Sequence, residues 1–203
     1  MSVIRPGSLF TALLLPLLMV PLMVLPSLST AAEQAPRVRL ETTMGTIVLE
    51  LDSERAPVTV ENFLTYVNDG FYDGTIFHRV IDGFMIQGGG YTADFSRKQT
   101  RAPIKNEADN GLKNTRGSIA MARTRDPHSA SAQFFINVVD NGALDHTAPD
   151  ARGWGYAVFG QVVEGMDVVD KIRGQSTGVQ AGFRDVPKKT ITITRAVVEK
   201  PSQ

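Results

Sequence analysis

Phe77-His78-Arg79-Val80-Ile81-Asp82-Gly83-Phe84-Met85-Ile86-Gln87-Gly88-Gly89 is the run on which the fold of this 203-residue chain turns. Residues 75–80 and 84–87 are rich in β-branched and aromatic types, and Asp82-Gly83 between them is a favoured hairpin turn pair. On strands that alternate, Arg79 and Gln87 share a face with apolar neighbours. An arginine turned toward an apolar surface is costly unless something pairs with it, so its presence calls for a reason. A second segment, Gln133-Phe134-Phe135-Ile136-Asn137, again sets an amide among large aromatic groups.

Outward from these segments the pattern stays short-ranged. Val38 and Leu40, then Ile47, Leu49 and Leu51, alternate with polar residues on either side of Met44-Gly45, which predicts a hairpin of half-buried strands. Pro57 stands where a first helical position belongs, and Val60, Phe63, Leu64 and Val67 follow at helical spacing until Gly70. A second short helix is predicted over 166–172, after Gly165, with Val168, Val169 and Ile172 inward. Segments 118–122, 133–138, 156–163 and 190–198 are further strands, and the polar, Gly-rich stretches 88–118, 123–132, 141–155 and 174–186 are loops. Many short strands with two helices predict a mainly β chain, an antiparallel barrel or sandwich rather than a βαβ sheet.

Composition removes several functions. Lys+Arg and Asp+Glu both number 21, so the formal net charge of +0 offers no basic face for nucleic acid. With 42% hydrophobic and 21% charged residues, the chain has the make-up of a folded domain. The absence of Cys excludes a disulfide scaffold, a thiolate nucleophile and a Cys-based zinc site. His78, His128 and His146 lack ligand spacing, so no metal site is expected. Gly88-Gly89-Gly90 lacks the spacing and the following helix of a dinucleotide loop.

Arg5 precedes an almost wholly apolar run over 9–28, and Ser29-Thr30-Ala31-Ala32 supplies small residues. That order predicts a secretory signal peptide over 1–32, cut near Ala31 or Ala32, followed by a single domain over 33–203 with its core at 38–198. The alternative is a retained membrane anchor, which Pro16, Pro21 and Pro26 disfavour by interrupting the run.

Together with Gly117-Ser118-Ile119-Ala120-Met121-Ala122, Leu144-Asp145, Val158-Phe159-Gly160 and Val163-Glu164-Gly165-Met166, the two opening segments resemble the signature of the cyclophilin-type peptidyl-prolyl cis-trans isomerases. The order holds over nearly all of 38–198, and with its leader the chain is most similar to periplasmic bacterial members. The resemblance implies a closed eight-stranded antiparallel barrel capped by two short α-helices, with the active groove on its outer face. It implies that Arg79 is the catalytic arginine, oriented by the Gln87 amide, and that Phe84, Met85, Phe135 and Leu144 receive the substrate proline. Ala122, Arg123 and Gln133 line the adjoining groove. His78 and Tyr156 border it, His78 in a structural hydrogen-bonding role rather than as a general base. The substrates implied are proline-containing polypeptides, exported proteins among them, handled in the periplasm by a monomer. Ala143 stands where eukaryotic members have a tryptophan, and Tyr156 where they have a histidine. The first departure implies weak cyclosporin binding, unless Trp154 folds back over the groove.

The chemistry fits such a site. An X–Pro bond exchanges over tens to hundreds of seconds because rotation breaks amide resonance. Millisecond turnover asks for about 10⁴–10⁵-fold acceleration, or ~5.5–7 kcal/mol. Rotation makes and breaks no covalent bond, so neither nucleophile, proton donor nor cofactor is expected. Two other readings stay open: a barrel that holds proline-containing peptides as a chaperone without turnover, and an unrelated β-barrel carrier for a small apolar ligand. A mere binder would not require Arg79 and Gln87. Taken singly, Phe84, Phe135 and Leu144 would read as plain barrel core.

Overall fold

Residues whose apolar side chains recur every second position pair into ladders, and those ladders carry most of the fold. The computed structural model describes residues 1–3 and 34–200, so all but the first three residues of the expected signal peptide lie outside the described residues. In chain order the elements are β1 (Arg37–Thr42), β2 (Gly45–Leu51), α1 (Pro57–Asn68), β3 (Thr75–Ile81), β4 (Met85–Thr92), β5 (Ser118–Met121) and β6 (Phe134–Asn137), followed by β7 (Val158–Glu164), α2 (Met166–Arg173), β8 (Thr177–Gln180), β9 (Phe183–Pro187) and β10 (Ile193–Val198). Eight strands form one antiparallel sheet in the order β10-β1-β2-β7-β5-β6-β4-β3. Its two edges meet: Phe77 donates to the Ile191 carbonyl at 3.0 Å and Gly74 to the Ile193 carbonyl at 2.8 Å. The barrel is therefore nearly closed, which leaves little exposed edge for another chain to add to.

The stretch 174–186, expected to be loop, contains the separate two-stranded β8–β9 ribbon, with β9 lying against β3. Gly88-Gly89-Gly90 lies within β4 rather than in a loop. A Cβ on Gly89 would meet Tyr72 and Phe134 at 2.8–2.9 Å, so the glycine allows the strand to approach the core aromatics closely.

The barrel interior is filled. Phe63 of α1 inserts among Tyr72, Phe134 and Phe159, with ring centroids 5.1, 5.7 and 5.1 Å away. Leu40, Ile47, Leu49, Phe77, Ile136 and the Val168, Val169 and Ile172 face of α2 complete the same cluster. Pro57 opens α1, as expected, but the Ala56 cap position supplies no side-chain hydrogen bond. Glu107 does so from a distant loop, accepting from the Val58 and Thr59 amides at 3.1 and 2.8 Å and from the Thr59 hydroxyl at 2.7 Å. Among the described residues no helix is long and apolar enough to cross a membrane.

A second apolar cluster lies outside the first. Met85, Ala120, Phe135 and Val158 are buried together, with Ile81, Phe84, Leu112, Ala122, Leu144 and Tyr156 packed against them. The two clusters draw on alternate residues of the same strands. Along β5 and its end, Ile119 and Met121 go in while Ala120 and Ala122 go out; along β6, Phe134 and Ile136 go in while Phe135 goes out.

Candidate active site

The outer cluster ends at a charge. Arg79 pairs with Gln87 across β3 and β4, Gln87 with Phe135 across β4 and β6, Phe135 with Ala120, and Ala120 with Val158. One row of positions therefore crosses the sheet from a guanidinium to an apolar patch. At about 4.8 Å between neighbouring strands, the Arg79 and Phe135 backbones stand ~10 Å apart across the sheet.

Arg79 reaches this face because β3 carries an extra residue. Phe77 pairs with Gly88 and Arg79 with Gln87, two steps on one strand against one on the other. Phe77 and Val80 both belong to the inner cluster, so the bulge places the intervening His78 and Arg79 together on the outer side. Arg79 stays partly exposed, with 41% of its side chain accessible.

The amides are also fixed. Gln87 Nε2 donates to Gln133 Oε1 at 3.1 Å, which fixes the amide and leaves its own Oε1 as the only side-chain atom able to accept from a guanidinium. Phe135 meets Tyr156 edge-on at 5.6 Å, and the Arg123 guanidinium sits 4.5 Å from the Tyr156 ring centre. Arg123 Nε donates to the Gly155 carbonyl at 2.8 Å, and Tyr156 N to the Leu144 carbonyl at 2.9 Å. Phe84, Met85, Ala122, Phe135, Leu144 and Tyr156 thus share one patch, bordered by Arg79, Gln87, Gln133 and Arg123.

His78 is turned away from that patch. It is 4% exposed, and its ring lies edge-on to Tyr91 at 4.8 Å and to Phe183 at 6.3 Å. Among the described residues its Nδ1 finds no hydrogen-bond partner. Burial pushes its pKa down to about 4, with the Arg79 charge adding to the effect and a backbone contact with Ile76 opposing it. Trp154 is likewise placed elsewhere, between the edges of His128 and His146 at 4.9 and 5.4 Å, with its indole nitrogen buried. Ala143 lies exposed in a 3₁₀ turn over Gly142–Leu144.

A polar layer beneath the patch holds the loop that carries Leu144 and Tyr156. Asn137, fully buried, donates to Asn114 Oδ1 at 3.2 Å and Ser118 Oγ at 2.9 Å and accepts from Asn141 at 2.7 Å. Asn141 also donates to the Phe84 carbonyl at 2.8 Å, and Asp145 accepts from the Asn114 amide at 2.8 Å. Ile81, Leu112, Ala120, Val158 and Asp185 adjoin the patch or Arg79 without having been given a site role from the sequence. Alternation along the strands would have supplied Ile81, Ala120 and Val158. Leu112 and Asp185 lie in stretches read as loop, where no such signal exists.

Comparison with known proteins accords with this architecture. The family described as "Cyclophilin type peptidyl-prolyl cis-trans isomerase/CLD" matches residues 37–198. A peptidyl-prolyl cis-trans isomerase of Streptomyces antibioticus is 62% identical over 161 residues, covering 79% of this chain and 97% of the relative. Peptidyl-prolyl cis-trans isomerase B of Escherichia coli is 56% identical over 163 residues, covering 80% and 99%. A crystal structure of a cyclophilin-type isomerase from Cryptosporidium parvum superposes with a TM-score of 0.67 at 26% identity, covering 83% of this chain and 99% of that one. The chain belongs to the cyclophilin-type peptidyl-prolyl cis-trans isomerases. Enzymes of this class act on proline-containing polypeptides.

Proposed function

We propose that the outer patch seats the substrate proline ring and that Arg79 lowers the rotation barrier. The row Arg79–Gln87–Phe135–Ala120–Val158 carries this reading, since it sets a permanent cation beside an apolar surface on the outside of a filled barrel. A ring seated on Phe84, Met85, Phe135 and Leu144 sheds water that would otherwise favour the planar, charge-separated amide. As the amide twists, conjugation is lost and the proline nitrogen regains its lone pair. A guanidinium donating to that lone pair binds the twisted state better than the planar one, which is what accelerates the step. Arginine keeps its charge across ordinary pH, so the donor is always present.

The test is proline-peptide isomerisation by NMR exchange or a protease-coupled assay, on wild type and Arg79→Ala. The variant is expected to lose about 10²–10³-fold in turnover, the scale of removing one preorganised donor. Its affinity for the peptide should change far less. Near wild-type turnover would overturn the role given to Arg79.

We further infer that residues 1–32 direct export and that the enzyme, as a monomer, serves exported polypeptides in the periplasm. The charged start, apolar run and small-residue end of this segment support the reading. Mass spectrometry of the extracytoplasmic fraction should find a mature start near Ala32 or Glu33. Intact Met1 in a membrane pellet would favour an anchor instead.

A further inference from the structure

The acid paired with Arg79 comes from the β8–β9 ribbon: Asp185 Oδ2 lies 3.9 Å from Arg79 Nε. Asp185 is an unusual residue in its own strand. Thr177 pairs with Pro187, Gly178 with Val186 and Gln180 with Phe183, so the register shifts around it. Its φ of 61° lies in the left-handed region, which residues other than glycine seldom adopt. The flanking side chains hold this conformation. Val186 is 4% exposed, and Phe183 meets Tyr91 at 5.0 Å, stacks on Phe95 at 5.5 Å and touches the edge of His78, the residue next to Arg79.

We infer that Asp185 is a positioning residue for Arg79: from its left-handed place in β9, the carboxylate holds the Nε edge of the guanidinium and turns the terminal nitrogens to the substrate. The inference rests on the catalytic role proposed for Arg79. Gln87 brings a neutral amide, its Nε2 tied to Gln133, whereas Asp185 brings the negative charge beside Arg79 Nε. At 3.9 Å the pair attracts without a hydrogen bond, and 41% and 44% of the two side chains are exposed. Such a pair is too weak to hold the guanidinium back from a substrate nitrogen, but it suffices to favour some arginine rotamers over others. A ribbon with no other evident link to the barrel chemistry thereby acquires a part in it.

Asp185→Asn is the informative substitution, since asparagine tolerates the left-handed region as aspartate does and only the charge is lost. Turnover should fall about 2- to 5-fold, the range an exposed ion pair corresponds to, with KM nearly unchanged. The Arg79 Nε–H resonance should shift in the same variant. On an Arg79→Ala background, Asp185→Asn should have no further effect. Turnover equal to or above wild type in Asp185→Asn overturns the inference, as does an equal loss on both backgrounds, which would mean that the substitution acts on the ribbon alone. If Arg79→Ala itself keeps wild-type turnover, the catalytic reading falls and the positioning role with it. Loss in Arg79→Ala beside full activity in Asp185→Asn removes the positioning role only.

Discussion

Gln87 and Gln133 are tied to each other, Nε2 to Oε1 at 3.1 Å, and Gly90 closes over the second of them. A Cβ built on Gly90 would come within 2.5 Å of the Gln133 side chain. The third glycine of β4 is therefore where the strand passes over an amide of the site. Gly90→Ala must push Gln133 aside and release Gln87. Turnover should fall by about 10-fold, inside the ~10² that a misplaced group can cost. Overpacking should cost about 1–3 kcal/mol in stability. Kinetics and urea unfolding of the same variant measure both; unchanged turnover would mean that the glutamine pair does not support the site.

Asn137 is the centre of the polar layer under Leu144 and Tyr156. Asn137→Ala removes its bonds to Asn114, Ser118 and Asn141 at a fully buried position. The expected loss is about 2–3 kcal/mol, from buried polar groups left unsatisfied. KM for a proline peptide should rise as the loop loosens. Urea denaturation with peptide titration checks this, and a loss below about 0.5 kcal/mol would contradict it.

Glu107 caps α1 across 49 positions of sequence. Glu107→Ala strips the Val58 and Thr59 amides of their acceptor and should lower stability by about 1–2 kcal/mol. Turnover at a temperature well below unfolding should hold, because α1 packs into the barrel interior rather than the outer patch. Thermal unfolding beside the isomerase assay separates the two.

Much of this was legible in advance and some was not. The hairpin of 75–80 and 84–87 and the shared face of Arg79 and Gln87 follow from period-two alternation, whereas the grouping of Phe84, Met85, Phe135 and Leu144 came only from the family resemblance. The bulge at His78 was not legible, since an extra residue shows only when β3 is counted against β4. Glu107, Leu112 and Asp185 act through contacts distant in sequence from segments with no period at all. The aromatic nook around His78 was not legible either: the bulge buries the ring there, with a backbone hydrogen bond to Ile76 and no partner at Nδ1.

That nook makes stability depend on pH. The His78 pKa falls from the ordinary 6.5 to about 4 on folding, so between those values the unfolded chain binds the proton that the folded chain refuses. Stability is therefore fully present above about pH 6.5 and is lost as pH falls toward 4, by about 3 kcal/mol for this group. His78→Phe keeps an aromatic ring there and should remove that component. Urea denaturation of both proteins at about pH 7.5 and about pH 4 measures it; parallel losses would show that His78 is not responsible.

Cyclosporin is expected to inhibit weakly. Ala143 offers no aromatic face, and the Trp154 indole nitrogen is buried between two histidines where it cannot donate outward. A missing aromatic anchor commonly costs about 2–4 kcal/mol, or ~30- to 1000-fold in affinity. Titrating wild type beside Ala143→Trp should show inhibition tighten in the variant. Tight inhibition of the wild type would mean that another group fills the gap.

The alternation along β5 and β6 has a bearing on how this enzyme can change. Each strand alternates residues of the barrel interior with residues of the outer patch proposed to seat the substrate, and the two sets belong to separate clusters. A saturation scan should therefore flip at every step, with cellular abundance responding at Ile119, Met121, Phe134 and Ile136, and turnover or substrate preference responding at Ala120, Ala122 and Phe135. Variation of the second kind leaves the interior packing intact. A lineage could retune which prolines it serves without first acquiring spare stability, as long as the substitutions fall on the outward-facing beat of the strand.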